Sequence, residues 1–361
     1  MGEKAVAPAA LGFRLPAEWE PHAATWIGWP HNRTDWPGKF APIPWVYAEM
    51  VRRIAGGERV RVLVESRAHE QGIRRILKRA GADAAQVEFF PFPTDRGWTR
   101  DSGPAFLVHD RTGEVAVARF AFNGWARYSD FRKDARLTDR IVKAKGARAF
   151  RATADGRDVV LEGGAIDVDG KGTLITTEEC LLDSQIQPRN PGLDRSGYER
   201  IFRDFLGVRQ VLWLGRGIAG DDTHGHVDDL CRFVKPATVV LCRETNSADQ
   251  NHAALEENRE RLAGARAADG AKIEVVDLPM PAPLVFDGRR LPASYANFYI
   301  ANAAVLVPTF NDPKDRVALG ILAELFPDRP VVGIHAVDLV WGLGTIHCLT
   351  KQEPETGAGR T

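Results

Sequence analysis

Cys348 sits just past a Gly-x-Gly turn, in the run Gly342-Leu343-Gly344-Thr345-Ile346-His347-Cys348, a few residues before the chain becomes polar. A solitary cysteine on an apolar run is ordinarily core packing, so its chemistry depends on what else can reach it. The densest polar stretch is Asp221-Asp222-Thr223-His224-Gly225-His226-Val227-Asp228-Asp229. If extended, it places His224, His226 and Asp228 on one side. By itself that pattern reads equally as a metal site and as a solvated loop. Asp101 lies with Trp98 in the polar run PTDRGWTRDSGP, where a surface turn is the plain alternative. Glu162 ends an apolar run and precedes Gly163 and Gly164, residues that let a backbone or ligand approach closely, or that simply form a hairpin turn. Acids at 101, 162 and 228, an imidazole at 226 and a thiol at 348, each at the end of a different strand, are the parts required for nucleophilic attack on a planar, cationic carbon. A guanidinium offers its N–H donors in a fixed fork that carboxylates meet with paired, charge-assisted hydrogen bonds.

The elements that would position these groups are short. Apolar strands such as RVRVLVES, ATVVLCRETN and NAAVLVPTFND are each followed by an amphipathic helix. The first of these helices, AHEQGIRRILKRAG, carries Ile73, Ile76 and Leu77 at helical spacing and Gly81 as its cap. KGTLITTEECLL and GPAFLVHD supply further strands. The weak repeat has a module of roughly 60 to 70 residues, which allows about five modules in the chain. A doubly wound sheet also alternates strand and helix, and periodicity does not separate the two. No Gly-, Ser- or Pro-rich linker divides the 361 residues, so a single domain over 1–361 is expected, with disordered tails at about 1–12 and 353–361. With 48 basic and 48 acidic side chains the formal charge is zero, which lacks the electrostatic footprint of a nucleic-acid or membrane-surface binder. Cys180, Cys231, Cys242 and Cys348 are far apart without a CxxC spacing, which predicts free thiols in a reducing compartment. No signal-like apolar region or membrane-length run is present, and a cytoplasmic location is expected.

In order along residues 13 to 354, the motifs PAEWEPHAATW, WPHNRTDWPGKF, GWTRDSGP, FNGW, LEGGAID, DDTHGHVDD, LPASYANFYIANAAVLVPTFNDPKD and HCLT resemble those of the agmatine deiminase family, also called the bacterial-type peptidylarginine deiminase family. The resemblance implies the guanidine-modifying superfamily and its α/β fold, a five-bladed pseudo-fivefold propeller of ββαβ modules (a pentein). It also implies roles. Cys348 matches the nucleophile, His226 the general acid/base, Asp101 and Asp228 the guanidinium ligands, and Glu162 the acid that orients the imidazole. Trp98 matches an aromatic wall along the substrate's methylene chain, and Asp222 a distal acid for agmatine's ammonium. The implied reaction is hydrolysis of a small cationic guanidine, agmatine first, to a ureido product and ammonia through a thiouronium on Cys348. It requires neither metal nor organic cofactor. Family members often form homo-oligomers.

Where relatives carry a GGGN run before Ile-His-Cys, this chain reads Gly342-Leu343-Gly344-Thr345, which makes the elbow bulkier and removes an amide near the thiol. That departure keeps other guanidines, arginine or peptidyl-arginine, in view as substrates, and also binding without turnover. A metal-dependent hydrolase built on His224, His226 and Asp228 is the remaining competitor. His224 is expected to be structural, His347 to face away from Cys348 on an extended segment, and Cys180, Cys231 and Cys242 to be core. Of Trp19, Trp26, Trp29, Trp36 and Trp45, most are expected to pack an N-terminal segment.

Overall fold

The helix Arg67–Ala80 starts at Ser66, whose hydroxyl accepts from the His69 amide, and stops at Gly81, whose φ of 73° needs the conformational freedom of glycine. It links two parallel strands, Arg59–Leu63 and Val87–Phe90, the first buried beyond its first residue. The computed structural model, which describes residues 6–357, repeats this strand, helix, parallel-strand step throughout and is α/β. The parallel pairs are His22–Gly28 with Arg59–Leu63, Val115–Arg119 with Arg148–Arg151, and Thr173–Thr177 with Gln210–Leu214. Thr238–Arg243 with Glu274–Pro279 and Val305–Thr309 with Val331–His335 complete the set. The leading strand of each of these five pairs also has an antiparallel neighbour, and Val87–Phe90 adds a further parallel strand beside Arg59–Leu63, so that five mixed sheets of three or four strands result. The strands and helices expected from periodicity are present near their expected bounds, except that KGTLITTEECLL is a strand only over Thr173–Thr177, after which Glu178–Leu182 turns into a helix that Thr177 caps.

For His22–Gly28 the antiparallel neighbour is Thr350–Pro354, from the other end of the chain. That corrects the expected tail from 353. Glu353 is buried, accepts from the Trp26 indole N–H at 2.8 Å, and pairs with Arg61 and with Lys145. The N-terminal side is corrected likewise. Pro8–Leu11 forms a 3-10 helix, and Phe13–Arg14 joins the edge of the sheet containing Ala105–His109. Residues 1–5 and 358–361, also expected to be disordered, lie outside the described residues. Among the described residues no helix is long and apolar enough to cross a membrane.

One close approach sets up the site. A Cβ at Gly28 would lie 2.6 Å from the Gly97 carbonyl oxygen, so only glycine lets the segment 97–101 seat against the end of the strand His22–Gly28. Trp98 and Asp101 are delivered from there.

Replacing Glu353 with alanine removes the carboxylate shared by a buried indole and a buried guanidinium. It is expected to lower unfolding stability by about 2–3 kcal/mol, with Glu353→Gln losing less, as read from urea denaturation midpoints. Unchanged midpoints would mean that the C-terminal strand contributes nothing to the cooperative fold.

Candidate active site

Cys348 lies on a single helical turn, Ile346–Leu349, rather than on an extended segment. Asn297 holds that turn. Its Oδ1 accepts from Thr345 Oγ1 at 2.8 Å and from the His347 amide at 3.1 Å, while its Nδ2 donates to Cys348 Sγ at 3.1 Å and to Asp229 Oδ1 at 2.9 Å. The amide missing from position 345 is thus supplied to the thiol by the loop that leads into the strand Tyr299–Ile300. Asp228 Oδ2 lies 3.6 Å from Cys348 Sγ. The helical turn also changes His347: its Nδ1 meets Asp228 Oδ2 at 2.6 Å and its Nε2 meets Glu18 Oε2 at 2.8 Å, so it supports an acid of the site.

The expected extended His224-x-His226-x-Asp228 face is not formed. His224 has φ 64° and Gly225 φ 90°, after which Val227–Asp229 make a 3-10 turn. The reversal sends His224 outward to Asp183, 2.8 Å away, and His226 inward. The metal triad of His224, His226 and Asp228 is thereby excluded. Inside, His226 lies between Asp101, with Nδ1 3.9 Å from Oδ1, and Glu162, with Nε2 3.9 Å from Oε2. Asp101 is fixed by the Trp125 indole and the Gly164 amide, each donating at 2.9 Å. Glu162 is fixed by Arg189 Nε at 3.1 Å, with both side chains fully buried. A side chain at 164 would collide with the site, since a Cβ there falls 2.5 Å from His226 Nδ1 and 3.0 Å from oxygens of both Asp101 and Asp228.

These neighbours set the charge pattern. Burial would raise the Glu162 carboxyl, but Arg189 and His226 hold it down at about 2. Asp228 is likewise lowered against burial by His347. Asp101 is raised by burial and by the charges of Asp228 and Glu162, and Asp229 is raised well above its usual range by burial and Asp228. Burial opposes protonation of His226, yet Asp101, Cys180 and Glu162 raise it well above the usual imidazole value. The Cys348 thiol is pushed well above its usual value by burial and by Asp228, Asp229 and Asp101. Both shifts run in one direction, toward a protonated imidazole and a neutral thiol.

A narrow cleft leads to Cys348, lined by Trp98, Asp101, Trp125, Tyr128, Asp222 and Leu343 among others. Trp98 stands on Trp36, ring centroids 5.6 Å apart. Asp222 closes the distal end, where it accepts from the Tyr128 hydroxyl and lies 3.7 Å from Arg127 Nε; Arg96 shares the lining. All seven site residues expected from the sequence therefore meet in one place. Sequence reasoning missed Asn297, Glu18, Arg189, Trp125 and Tyr128. Asn297, Glu18 and Trp125 stand inside quoted motifs, whereas nothing local marks Arg189 or Tyr128. Two sets of donor atoms lie close enough to share a cation: Glu162, Cys180 and His226, and Asp228, Asp229 and Cys348.

Residues 14–354 match the family model of the Porphyromonas-type peptidyl-arginine deiminase. The agmatine deiminase of Pseudomonas aeruginosa (strain LESB58) is 36% identical over 96% of this chain and 97% of its own. The solved agmatine deiminase of Enterococcus faecalis superposes with a TM-score of 0.90 at 32% identity, covering 98% of this chain and 99% of that one. A variant of C. jejuni agmatine deiminase with substrate bound gives 0.83 at 26% identity, covering 95% and 97%.

The raised thiol fixes a sign. Alkylation of Cys348 by iodoacetamide in the unliganded protein, followed by peptide mass spectrometry, should quicken about tenfold per pH unit between about pH 7 and 9 without levelling. Asp228→Asn should speed it at about pH 8. A plateau below about pH 8 would show that the carboxylates do not suppress the thiolate.

Proposed function

Because the chain belongs to the Porphyromonas-type peptidyl-arginine deiminase family, we propose that it hydrolyses agmatine to N-carbamoylputrescine and ammonia through a covalent intermediate on Cys348. The observation that carries this reading is the buried acid set around the thiol. Asp228 Oδ1 has no hydrogen-bond partner, and Asp101 and Asp229 have no full counter-charge of their own. A planar cation would complete it. In this reading residues 1–361 form one catalytic domain, and the five mixed sheets are the five blades of a pseudo-fivefold α/β propeller with the site between them. Four buried, unpaired cysteines agree with a reducing, cytoplasmic setting.

The chemistry follows from the charges. Agmatine's guanidinium is held by Asp101 and Asp228, its methylene chain runs along Trp98, and its ammonium meets Asp222. The arriving cation reverses the field that disfavours the thiolate, so that Cys348 ionises beside its electrophile and releases its proton to solvent. Sulfur attacks the guanidine carbon, giving a tetrahedral adduct. His226, protonated at the outset, gives its proton to the departing nitrogen, and ammonia leaves. The thiouronium that remains is attacked by water, whose proton returns to His226. The second adduct expels the sulfur and loses its hydroxyl proton, which restores the Cys348 thiol, and a ureido group is left. Glu162, fixed by Arg189, orients His226 throughout.

The distal end favours a second reading. Arg96 and Arg127 stand beside Asp222, and such cations suit a guanidine that also bears a carboxylate, such as arginine or a peptidyl-arginine.

Ammonia and ureido-product formation are to be measured with agmatine, arginine and a peptidyl-arginine in parallel. Agmatine is expected to be turned over, and Cys348→Ser to lose about 10³-fold or more of kcat. Turnover of arginine alone would select the second reading, and silence of folded protein on all three would overturn deimination. Asp222→Asn should cut kcat/KM for agmatine about tenfold, mostly through KM. An equal loss with a guanidine lacking the distal ammonium would remove Asp222 from that role.

A further inference from the structure

Cys180 was expected to be core filling, and it is buried, but it adjoins the catalytic imidazole. It begins no disulfide. Its thiol, one oxygen of Glu162 and one ring nitrogen of His226 all lie within 4.8 Å of one another. The atoms facing one another are open: both ring nitrogens of His226 and Oε2 of Glu162 lack a hydrogen-bond partner although fully buried. Each residue is anchored by other atoms. Arg189 Nε takes Glu162 through Oε1. The His226 amide donates to Asp221 Oδ2 at 3.0 Å. Thr177 Oγ1 accepts from the Cys180 amide at 3.1 Å and donates to the Gly225 carbonyl, which ties the turn carrying Cys180 to the loop carrying His226.

From this cluster we propose a second ligand site: Cys180, Glu162 and His226 bind a thiophilic divalent cation of the zinc class, which inhibits the enzyme by capturing its general acid/base. One sulfur, one nitrogen and one oxygen, with a fourth position open, is a donor set that tetrahedral zinc accepts, at about 2.3, 2.0 and 2.1 Å. Such bonds put the donors about 3.3–3.7 Å apart, so the 3.9 Å between His226 Nε2 and Glu162 Oε2 needs only a few tenths of an ångström of closure. Binding is an exchange without redox change. The Cys180 S–H bond is replaced by a sulfur–metal bond and its proton goes to solvent, along with the extra imidazole proton of His226. The metal then occupies Nε2, the nitrogen facing Glu162, and leaves Nδ1, which faces Asp101, with a proton that a metal-bound neutral imidazole gives up far less readily than an imidazolium does, while Cys348 stays free. The alternative set of Asp228, Asp229 and Cys348 is already engaged, because His347 meets Asp228 Oδ2 at 2.6 Å and Asn297 donates to Asp229 Oδ1 at 2.9 Å and to Cys348 Sγ at 3.1 Å. The inhibitory consequence rests on the deiminase reading; the binding site does not.

The test titrates apo-protein with Co²⁺ and then Zn²⁺, following the cobalt–thiolate absorption band and, by calorimetry, stoichiometry. Expected is one metal per chain with a thiolate band in wild type and in Cys348→Ala. The band should be lost and zinc affinity should fall about 100-fold or more in Cys180→Ser. Glu162→Gln, which keeps every thiol, should weaken binding and gives a second handle should Cys180→Ser not fold. A band that disappears with Cys348→Ala and survives Cys180→Ser, or no binding at all, overturns the proposal. Activity is read separately as the ratio with and without zinc for each protein: chelator-reversible inhibition in wild type should be blunted at least tenfold in Cys180→Ser, and equal inhibition in both would overturn the inhibitory role. Absence of agmatine turnover in folded, zinc-free wild type would instead defeat the deiminase reading and leave the binding result standing.

Discussion

Burying an anion without a counter-charge is prohibitively costly, and the centre of this molecule is arranged around that constraint. Glu18 is the hub. It accepts from Arg100 at 3.0 Å, from Arg232 at 2.9 Å and from the Ile300 amide at 2.9 Å, and it meets His347 Nε2 at 2.8 Å. These partners come from distant parts of the chain, so one buried carboxylate ties together segments that no single sheet joins. Three opposing charges hold it ionised against burial. Arg232 also pairs with Asp167, at 3.3 Å. Removing any one partner would strand a buried charge, which makes the network unforgiving and its geometry well specified.

The same constraint divides the site acids into two kinds. Glu162 has Arg189 as its partner and Asp228 the ring of His347, and both acids are lowered against burial. Asp101 and Asp229 have none adequate to their burial and are raised. The first kind gives a fixed negative field and the second an adjustable one, so a cationic ligand meets attraction that strengthens as it enters. A neutral ligand gains nothing comparable. Selectivity for a cation thus comes from the placement of Arg189 and His347 as much as from the acids that would touch the ligand.

Legibility followed how local each determinant is. Strand and helix positions were readable because burial periodicity and caps such as Ser66 and Gly81 are local signals. Cys348, His226, Asp228, Asp101, Glu162, Trp98 and Asp222 were readable through ordered motifs. What failed was orientation. The reversal at His224 and Gly225 depends on left-handed backbone that alternation arguments do not anticipate, and the helical turn at Cys348 depends on Asn297, 51 residues away. Glu353 looked like polar tail because its partners, Trp26 and Arg61, lie more than 290 residues upstream. Leu343 shows the limit of reading an elbow by composition. It adopts φ 70°, unfavourable for leucine, yet the turn keeps its shape because Gly342 fits against Trp36, Gly344 against Trp98 and Cys348, and Thr345 bonds Asn297.

A thiol raised by burial and acids looks ill-suited to nucleophilic work, but the arrangement has a physical logic. A resident cation beside Cys348 would keep the thiolate formed at all times and expose it to any electrophile or oxidant that reached it. Here the donor from Asn297 only partly offsets burial and the charges of Asp228, Asp229 and Asp101. In the proposed reaction the positive charge comes from the ligand, held by Asp228, whose Oδ2 lies 3.6 Å from the sulfur. Activation and positioning would then be one event, since the group that stabilises the thiolate would be the group it attacks. The basicity of His226 is raised against burial by Asp101, Cys180 and Glu162. In the proposed reaction a cation that neutralises those acids would lower that basicity when a proton is to be given away, so one electrostatic change would prepare both the nucleophile and the acid.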